Sequence, residues 1–540
     1  MKALIAHLFR AEPRGATLAI LFGLASGASA AAMAVIISLA LTTENRGTAL
    51  AAWFFGAAAL NLVLRILSET RLIALTQKIV LDMRVNLAHR VLATSQLHLQ
   101  QIGRQPLLTI QTRDIDAFAG SVQLIPLIVG NLLMIVGCFA YLGYENWRLC
   151  LTVVACLLVG ATAFRLAERG PLIRLARLRN HIDQLYIHQR ALIEGTKELQ
   201  LNHKRGVQFI DKVLGPVAAD VARDYVGAMS SYIWVASIGN SLFYLVIGVV
   251  LFGPTGIGSA DLVPAVLVML YLIKPVSEVM IGLPPLRQSA IALEQISRLQ
   301  ADLTADPGAV PRPLEPETIA LQGATHSYQT DAEDGTFTLG PVDLSVRRGE
   351  VLFLLGGNGS GKTTLGMLLC GLYAPDQGRL LADGTEITPE NLINYRQAFS
   401  AVFSDFHLFE HLPGADDPAM EERARHYIRH LRMDHKVRVE KGRLSTTDLS
   451  TGQRKRLSLV SAYLEDRPFC LFDEWAADQD PLFKAVFYNE LLPELKARGK
   501  GVIVISHDDA YFSAADRIVT IEPGMGTRDI VARLLETVKP

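Results

Sequence analysis

The chain has 540 residues, more than a single domain usually contains, so at least two domains are expected. Half of these residues are hydrophobic, a high share for a soluble protein, which favours membrane-spanning segments. The formal net charge of -1 identifies no partner, and because there is no polybasic tail, no nucleic-acid partner is expected.

Six apolar stretches in the first three hundred residues are long enough to cross a membrane as helices. They cover residues 16–41, about 50–75, 117–143, 149–164, 233–252 and about 262–283. Residues 1–13 form a short amphipathic segment that is predicted to lie along the membrane surface. Because the first apolar run continues well past the Ala28-Ser29-Ala30 pattern, we expect no cleaved signal peptide.

The placement of Lys and Arg predicts the orientation of these spans. The connections after the first, third and fifth spans are short and carry only Arg46 and Arg148, whereas residues 165–223 carry eleven Lys and Arg. The short connections are therefore expected outside the cell and both termini in the cytosol. The long connections, about 76–116 and 165–232, show helical periodicity and are predicted to be spanning helices that continue into the cytosol.

Ionisable side chains inside the predicted spans are costly and are therefore candidates for a function. Arg65 and Glu69 are four residues apart and share one helical face, and Lys274 and Glu278 have the same spacing. One interpretation is internal charge pairing that lowers the cost of insertion. The other is a wet substrate cavity between helices, lined by Arg65, Glu69, Asn131, Asn240, Lys274 and Glu278.

A break in composition at residues 306–316 separates the two halves of the chain. Four prolines in these eleven residues cannot continue a helix, so the segment is predicted to be a linker. We expect a transmembrane domain over 1–300, a proline-rich linker over 301–316 and a nucleotide-binding domain over 317–540. In this last part, short β-runs and helices alternate, which is typical of a parallel-sheet domain.

A glycine-rich motif in the second half has the spacing of a phosphate-binding loop. It follows an apolar run at 351–355 and precedes a helical run at 365–373, which is the strand, loop and helix context that such a loop requires. Backbone N–H groups and the helix N-terminus are expected to bind phosphate, with Lys362 on the β- and γ-phosphates and Thr363 on Mg²⁺. The motif comprises Gly356, Gly357, Asn358, Gly359, Ser360, Gly361, Lys362, Thr363 and Thr364.

Two further apolar strands end in polar side chains that suit phosphate chemistry. Residues 469–472 lead to Asp473, a candidate Mg²⁺ ligand, and to Glu474, a candidate general base for the attacking water. Residues 502–506 lead to His507, which can hydrogen-bond the γ-phosphate. Considered alone, the acidic strand end is more typical of a solvated terminus and the histidine of a structural role.

The Leu449-Ser450-Thr451-Gly452-Gln453 segment resembles the signature of ABC-transporter ATPases, with Thr451 in place of the first glycine. The resemblance implies that this segment is a second phosphate clamp, acting on the ATP that a partner subunit holds. A helix N-terminus suits that task because its free N–H groups can bind phosphate. The alternative is a purely structural role, in which Ser450 caps the helix. Tyr328 lies where the family places an aromatic side chain on adenine; the alternative is a surface tyrosine.

The resemblance to ABC half-exporters covers nearly the whole chain, because six spans, long cytosolic helices, a linker and an ATPase follow one another. It implies an all-α transmembrane domain of exporter type fused to an α/β P-loop ATP-binding domain. Residues 399–409, 473–481 and 506–512 are similar to the cyclic-peptide and peptide-siderophore exporters, the subfamily of the pyoverdine-precursor exporters. Residues 194–202 resemble their coupling segment or, alternatively, an ordinary amphipathic helix.

The chain departs from the family pattern at two positions. Ser404 replaces the glutamine that contacts Mg²⁺ in most ABC ATPases, so its contact is expected either directly or through water. Asp480 takes the D-loop position, where it is expected to contribute to the ATP site. Asp478 adds a carboxylate where the family usually has alanine, and the sequence alone gives no physical reason for it.

Taken together, the resemblance implies a homodimer in the bacterial cytoplasmic (inner) membrane that uses ATP and Mg²⁺ to export a cyclic peptide or peptide-siderophore precursor. Membrane lipid is an expected partner, and the resemblance leaves room for periplasmic maturation or efflux partners. Two alternatives stay open. A lipid or multidrug exporter would share every ATPase motif, and a non-translocating membrane ATPase regulator is disfavoured by the complete set of catalytic motifs.

Overall fold

The structure is a computed structural model that describes residues 9, 12–42, 47–167, 169–252, 259–304, 308, 310–329, 336–414, 417–522 and 527–531. It separates into two compact units. The first, the membrane unit, comprises Met1–His89 and Gln105–Leu303. The second, the ATPase unit, comprises Arg90–Arg104 and Thr304–Pro540. Most of the predicted surface segment at 1–13 and part of the predicted linker lie outside the described residues.

The described part of the membrane unit is helical. Its helices are α1 (Pro13–Thr42), α2 (Thr48–Ala93), α3 (Gln96–Ile102), α4 (Arg104–Thr109), α5 (Ile115–Val122), α6 (Ile125–Glu145), α7 (Trp147–Ala167), α8 (Arg169–Glu194), α9 (Thr196–Leu201), α10 (His203–Phe209), α11 (Gly215–Phe252) and α12 (Ser259–Asp302), of which α3 belongs to the ATPase unit. Two π-helical turns, Ile110–Asp114 and Ile210–Leu214, join α4 to α5 and α10 to α11.

Four segments of the described helices are long and apolar enough to cross a membrane: Pro13–Leu41, Thr48–Ala93, Pro106–Glu145 and Ala265–Gly282. The other two predicted spans, at 149–164 and 233–252, lie within α7 and α11, and the second contains a shorter apolar stretch, Phe243–Phe252. All six predicted spans are therefore helical, and membrane crossing by α7 and α11 stays a prediction.

Small residues bring α1 and α6 into close contact. A Cβ atom added to Gly27 would lie 2.2 Å from the carbonyl oxygen of Gly130, so the backbones can approach only because both residues are glycines. Tyr141 on α6 also donates a hydrogen bond to Ser38 on α1, at 3.0 Å. The pairing of these two helices forms one wall of a cavity described below.

The ATPase unit contains two large sheets. Its strands are β1 (Thr318–Gln329), β2 (Thr336–Arg347), β3 (Val351–Gly356), β4 (Gln377–Ala382), β5 (Thr385–Glu386), β6 (Phe399–Val402), β7 (Val439–Glu440), β8 (Arg443–Leu444), β9 (Phe469–Asp473), β10 (Gly501–Ile505), β11 (Arg517–Ile521) and β12 (Thr527–Val531). Its helices after residue 304 are α13 (Lys362–Leu369), α14 (Leu392–Arg396), α15 (Pro418–His430), α16 (Thr451–Glu465), α17 (Pro481–Val486) and α18 (Leu492–Ala497).

The six-stranded sheet positions the candidate site. Its order is β12-β11-β3-β10-β9-β6, and every pairing is parallel except that of β11 with β12. The carboxyl ends of β3, β10 and β9 therefore lie side by side, which is where ligands bind in open α/β sheets. A second, antiparallel sheet has the order β2-β1-β4-β5. The predicted short β-runs at 318–321 and 342–346 are parts of its long strands β1 and β2.

A short stretch from the first long connection, Arg90–Arg104, groups with the ATPase unit, although the sequence placed it within 1–300. Leu97 on α3 packs against the core under the phosphate-binding loop. Tyr373 donates a hydrogen bond to Gln100 at 2.8 Å, and the backbone N–H of Thr304 donates one to Thr94 at 2.9 Å. These contacts join residues that are far apart in sequence, so no local pattern could predict them.

Candidate ATP-binding site

The glycine-rich loop joins β3 to α13. Strand β3 is buried over its first four residues, and the loop turns into α13 through Gly361, whose φ is 98°. Gly359 has a φ of 77°. Side chains other than glycine are disfavoured in this left-handed region, which explains why the tight turn needs glycines here. The loop thus brings the N-terminus of α13 to the carboxyl edge of the sheet, as a phosphate site requires.

Lys362 lies at the base of this loop. Its ammonium group is largely buried and donates hydrogen bonds to the carbonyl oxygens of Gly356 and Gly357, at 3.0 and 2.9 Å. Burial lowers the pKa of Lys362, while the carboxylates of Glu474 and Asp473 act in the opposite direction. The cation is therefore held within the loop, where phosphate oxygens could replace the carbonyl oxygens as acceptors.

The structure brings together Thr363 and Asp473, two residues that the sequence analysis proposed as Mg²⁺ ligands. Thr363 Oγ1 donates to Asp473 Oδ2 at 3.0 Å. Asp473 is fully buried, and its Oδ1 has no hydrogen-bond partner of good geometry among the described residues. Burial raises the pKa of Asp473, although hydrogen bonding from Thr363 and Ser404 opposes this shift. Mg²⁺ prefers oxygen ligands, and the Thr363 hydroxyl lies next to a carboxylate that has one oxygen without a hydrogen bond of good geometry in the described part of the chain. The residues therefore fit that ion.

Glu474 and His507 lie at the ends of the adjacent strands β9 and β10. Glu474 Oε1 is 3.6 Å from His507 Nε2, and both side chains are partly exposed, at 39% and 47%. Glu474 also has a φ of 50°, an uncommon backbone conformation for a residue with a side chain. Such strained positions cluster at functional sites, and this one turns the carboxylate of Glu474 toward solvent beside the loop.

A hydrogen-bond network fixes the backbone on both sides of His507. Tyr488 contacts Ser506 Oγ at 2.6 Å and donates to Asp508 Oδ2 at 3.1 Å, and Lys484 pairs with Asp508 at 2.7 Å. Sequence reasoning missed Tyr488 and Lys484 because they lie in a different part of the chain. The only local signal was the polar Ser506-His507-Asp508 run itself.

Tyr328 and Ser404 lie close to the loop. The hydroxyl of Tyr328 is 3.5 Å from Thr364 Oγ1, and its ring centroid is 5.4 Å from that of Phe337. Its position suits stacking on a base whose phosphates lie in the loop. Ser404 follows β6, and its backbone and side chain help to lower the pKa of Asp473 through hydrogen bonding, which brings it to the candidate metal ligands.

The signature segment starts helix α16. Ser450 is its N-cap and forms a capping box with Gln453: the N–H of Gln453 donates to Ser450 Oγ at 3.4 Å and the N–H of Ser450 to Gln453 Oε1 at 3.2 Å. Ser450 and Thr451 are exposed. From the sequence, this segment was interpreted either as a structural helix cap or as a phosphate clamp. An exposed helix start that Ser450 caps is compatible with both interpretations.

The contacts of the signature helix run to the segment that follows Glu474. Gln479 Nε2 donates to the carbonyl oxygen of Gly452 at 3.0 Å, and Arg456 contacts Gln479 at 2.9 Å and Asp480 at 2.7 Å. A Cβ atom on Gly452 would lie 2.8 Å from the carbonyl oxygen of Asp478. Asp480 caps α17 by accepting from the N–H of Phe483, and this bond and Arg456 lower the pKa of Asp480.

A cavity of about 370 Å³ with a mixed polar and apolar lining lies within the membrane unit, and five of the six predicted residues line it: Arg65, Glu69, Asn131, Lys274 and Glu278. Asn131 donates to Glu278 at 2.7 Å. The two ion pairs measure 2.9 Å for Arg65 with Glu69 and 3.8 Å for Lys274 with Glu278. Asn61, which the sequence analysis did not single out, also lines it and donates to the carbonyl oxygen of Ser26. The side chain of Asn240 is outside the described residues.

Comparisons with known proteins agree with this arrangement. Residues 339–477 match the ABC transporter family. The chain is 33% identical to the ATP-binding protein SyrD of Pseudomonas syringae pv. syringae over 536 residues, covering 95% of this chain and 93% of SyrD. It is 26% identical over 513 residues to an ATP-dependent lipid A-core flippase of Paraburkholderia xenovorans (strain LB400), covering 88% of this chain and 83% of the flippase.

The fold matches a solved structure of a bacterial Atm1-family ABC exporter with ATP bound. The TM-score is 0.76 at 17% sequence identity, and the match covers 98% of this chain and 96% of the exporter. The expected fold, an all-α membrane domain fused to an α/β P-loop domain, is thereby confirmed. The chain belongs to the ABC transporter family, as an ATP-binding and ATP-hydrolysing exporter related to SyrD.

Proposed function

We propose that two copies of this chain form a homodimer that exports a cyclic peptide or a peptide-siderophore precursor by alternating access. The observation that carries the proposal is that the two phosphate-binding segments contact different parts of the chain. Lys362, Thr363 and Asp473 meet at one edge of the sheet, whereas the signature segment contacts the residues after Glu474. Each chain then offers half of two sites, and a second copy turned head to tail completes both.

Each side chain of the site has a proposed role. The loop from Gly356 to Thr364 binds the phosphates, with Lys362 as the cation, and Tyr328 stacks on adenine. Thr363, Asp473 and Ser404 would hold Mg²⁺, which when bound neutralises charge on the phosphate oxygens. Glu474 accepts the proton of the attacking water, and His507 donates a hydrogen bond to the γ-phosphate. From the second chain, Ser450, Thr451, Gly452 and Gln453 clamp the same nucleotide, with Asp480 beside them.

The proposed location is the bacterial cytoplasmic membrane, with the ATPase unit and both termini in the cytosol. The excess of Lys and Arg in residues 165–223 supports this orientation. We propose a membrane domain over 1–300, a linker over 301–316 and an ATP-binding domain over 317–540. Lipid surrounds the spans, and periplasmic partners for maturation or efflux are compatible with export.

The cavity in the membrane unit supports a peptide as cargo. Its lining combines the amides of Asn61 and Asn131 with two carboxylates and two cations. Peptide bonds offer both donors and acceptors, so such a wall can satisfy a peptide that leaves water. Because each carboxylate already has a cationic neighbour, the cavity has no large net charge and accepts a cargo that is itself nearly neutral.

A lipid is the second candidate cargo. The relatives include lipid A-core flippases, and the same cavity has apolar side chains, Leu127, Met134 and Leu270. A long acyl chain needs such a surface, whereas a polar peptide needs the amides and charges of the same lining. The two candidates therefore depend on different side chains of one cavity.

The test measures transport and ATPase stimulation in proteoliposomes. We expect cyclic peptides to raise ATP hydrolysis and to accumulate in inside-out vesicles in an ATP-dependent way, and the double substitution Asn61→Ala with Asn131→Ala to abolish the stimulation. Stimulation by lipids alone, retained in that double variant, would favour the lipid candidate. Vesicle transport at background for both classes would contradict export of either.

A further inference from the structure

Lys455 is a buried cation in the ATPase unit that the proposed function does not use. It lies one turn into α16, and its side chain is only 4% exposed. Burial of an ammonium group is costly unless the group is paired and hydrogen-bonded. Its partners should therefore reveal what it does.

The two partners of Lys455 both belong to the segment that starts at the candidate general base. Its ammonium group donates to the backbone carbonyl oxygen of Glu474 at 2.9 Å. It also pairs with Asp478 Oδ2 at 2.7 Å. Asp478 is the extra carboxylate that the sequence left unexplained, and the structure gives it a physical role as the counter-charge of a buried lysine.

A third contact runs in the opposite direction. The indole N–H of Trp475, which is almost fully buried, donates to the carbonyl oxygen of Lys455 at 2.7 Å. Residues 474 and 475 are thus joined to one residue of α16 by two reciprocal hydrogen bonds. On its other side, the N–H of Glu474 donates to the carbonyl oxygen of Ile505 on β10 at 3.0 Å.

These bonds surround a strained residue. Glu474 has φ and ψ of 50° and 33°, a conformation that persists only when neighbouring contacts hold it. The side chain of Glu474 leaves this backbone toward solvent, so a change in its backbone angles would displace the carboxylate. A displacement of about 1 Å at a catalytic group can cost on the order of 100-fold in rate.

We infer that Lys455 is a positioning residue that fixes the carboxylate of Glu474 through the backbone of Glu474, and that Asp478 keeps Lys455 in place. This inference rests on the proposed role of Glu474 as general base. Asp478 is half-exposed, so it can be hydrated, whereas Lys455 cannot. Lys455 is therefore the member of the pair that acts on the site, and Asp478 acts through it.

The test uses three variants of the full-length protein in detergent: Lys455→Met, Asp478→Ala and the double variant. Steady-state hydrolysis gives kcat and KM for ATP, and thermal unfolding gives Tm. We expect Lys455→Met to lower kcat by roughly 10- to 100-fold with little change in KM, because the base is misplaced while nucleotide binding is unaffected. Asp478→Ala should lower Tm and kcat, since it leaves a buried cation without its counter-charge.

The double variant distinguishes a positioning role of Lys455 from a purely structural role of its ion pair with Asp478. Replacement of both members removes the uncompensated charge, so Tm should recover toward that of the unmodified protein. The carbonyl oxygen of Glu474 still lacks the charged donor of Lys455 and keeps only the longer hydrogen bond from the N–H of Ala477, at 3.3 Å, so kcat should stay as low as in Lys455→Met. Recovery of kcat together with Tm would overturn the inference, and so would a normal kcat in Lys455→Met.

Further variants keep the test decisive. Lys455→Arg retains a charged donor and should keep more activity than Lys455→Met. If Lys455→Met yields no folded protein, Asp478→Ala decides: a normal kcat there would contradict the inference. Lys496→Met, which removes an ion pair with Asp516 outside the site, is the matched control and should leave kcat unchanged.

A parallel measurement on Glu474→Gln identifies which proposal fails. Loss of turnover in Glu474→Gln with normal turnover in Lys455→Met would reject the positioning role alone. Normal turnover in Glu474→Gln would reject the proposed role of Glu474 as base, and the positioning role would fall with it.

Discussion

The ATPase unit and the membrane unit hold their charged side chains in different ways. In the ATPase unit the contacts of the candidate site cross long stretches of sequence: Thr363 contacts Asp473, 110 residues later, and Lys484 pairs with Asp508. In the cavity of the membrane unit the two ion pairs form within single helices, between Arg65 and Glu69 and between Lys274 and Glu278. The first arrangement makes one rigid geometry for one reaction. In the cavity, by contrast, each ion pair belongs to its own helix, and pairs between helices, such as Arg84 with Asp116 at 2.7 Å, lie elsewhere in the membrane unit.

Hydrogen bonds between helices also join the lining of the cavity, and one of them involves a charged group. Asn131 on α6 donates to Glu278 on α12, which lies 147 residues later in the chain. This hydrogen bond joins two polar groups that face the cavity, so a cargo could compete with Asn131 for Glu278 or with Glu278 for Asn131. We therefore expect substitutions in the candidate ATP site to change turnover itself, and substitutions around Glu278 to change only the response to cargo.

The largest effect is expected for Glu474→Gln. Loss of the general base should lower ATP turnover by roughly 100- to 10,000-fold and trap an ATP-bound dimer, because binding does not need the carboxylate. Glu490→Gln, an exposed position on the same unit, is the control. Steady-state hydrolysis and size-exclusion chromatography with ATP measure both effects, and unchanged hydrolysis would remove Glu474 from its role.

The next effect is expected for Lys362→Ala. Hydrogen bonds from a charged donor contribute about 1.5–3 kcal/mol, so nucleotide affinity should fall by roughly 10- to 100-fold. Equilibrium binding of a fluorescent ATP analogue measures the change. An affinity equal to that of the unmodified protein would mean that the loop binds phosphate without its lysine.

A smaller effect is expected for Glu278→Gln in the cavity. The substitution removes the partner of Lys274 but keeps an acceptor for Asn131, so basal hydrolysis should stay unchanged while cargo stimulation changes severalfold. Glu294→Gln, which removes an ion pair with Arg298 elsewhere on α12, is the matched control. A fall in basal ATP hydrolysis in Glu278→Gln would contradict the expectation that this residue affects only the response to cargo.

The smallest effect concerns Asp473 and pH. Because burial raises the pKa of Asp473, the folded state binds its proton more tightly than the unfolded chain, and the ionised carboxylate costs stability at neutral pH. This cost is absent below the ordinary aspartate pKa of about 3.9. In metal-free buffer, Asp473→Asn should therefore raise Tm slightly at neutral pH, with no gain at low pH. Thermal unfolding across pH checks this, and a lower Tm at neutral pH would contradict it.

The sequence was most informative where function depends on local spacing. The glycine-rich loop, the strand ending at Asp473 and the cap of α16 each consist of neighbouring residues, so their geometry follows from backbone rules. The pairing of Arg65 with Glu69 also follows from helical periodicity. For the same reason the alternating helices and strands of the ATPase unit could be recognised from their pattern.

The contacts that sequence reasoning missed all join distant parts of the chain. The partner of Asp478 is Lys455, the partner of Asp508 is Lys484, and Tyr373 contacts Gln100 in a stretch assigned to the membrane half. Each depends on how elements pack after they form, and no spacing rule specifies that packing. The cargo is not specified by the sequence pattern for the same reason, because the lining of the cavity forms only when four helices pack together.

The central claim is that each ATP is bound by the glycine-rich loop of one chain and the signature of the other. Two variants test it directly: Lys362→Ala removes the loop cation, and Ser450→Arg blocks the signature, so each homodimer has two damaged sites. A dimer of one Lys362→Ala chain and one Ser450→Arg chain has one intact site. We predict that, at an ATP concentration that saturates only an intact site, a purified mixed dimer of the two variants hydrolyses ATP faster than either homodimer. Hydrolysis in the mixed dimer no faster than in the homodimers would contradict the account.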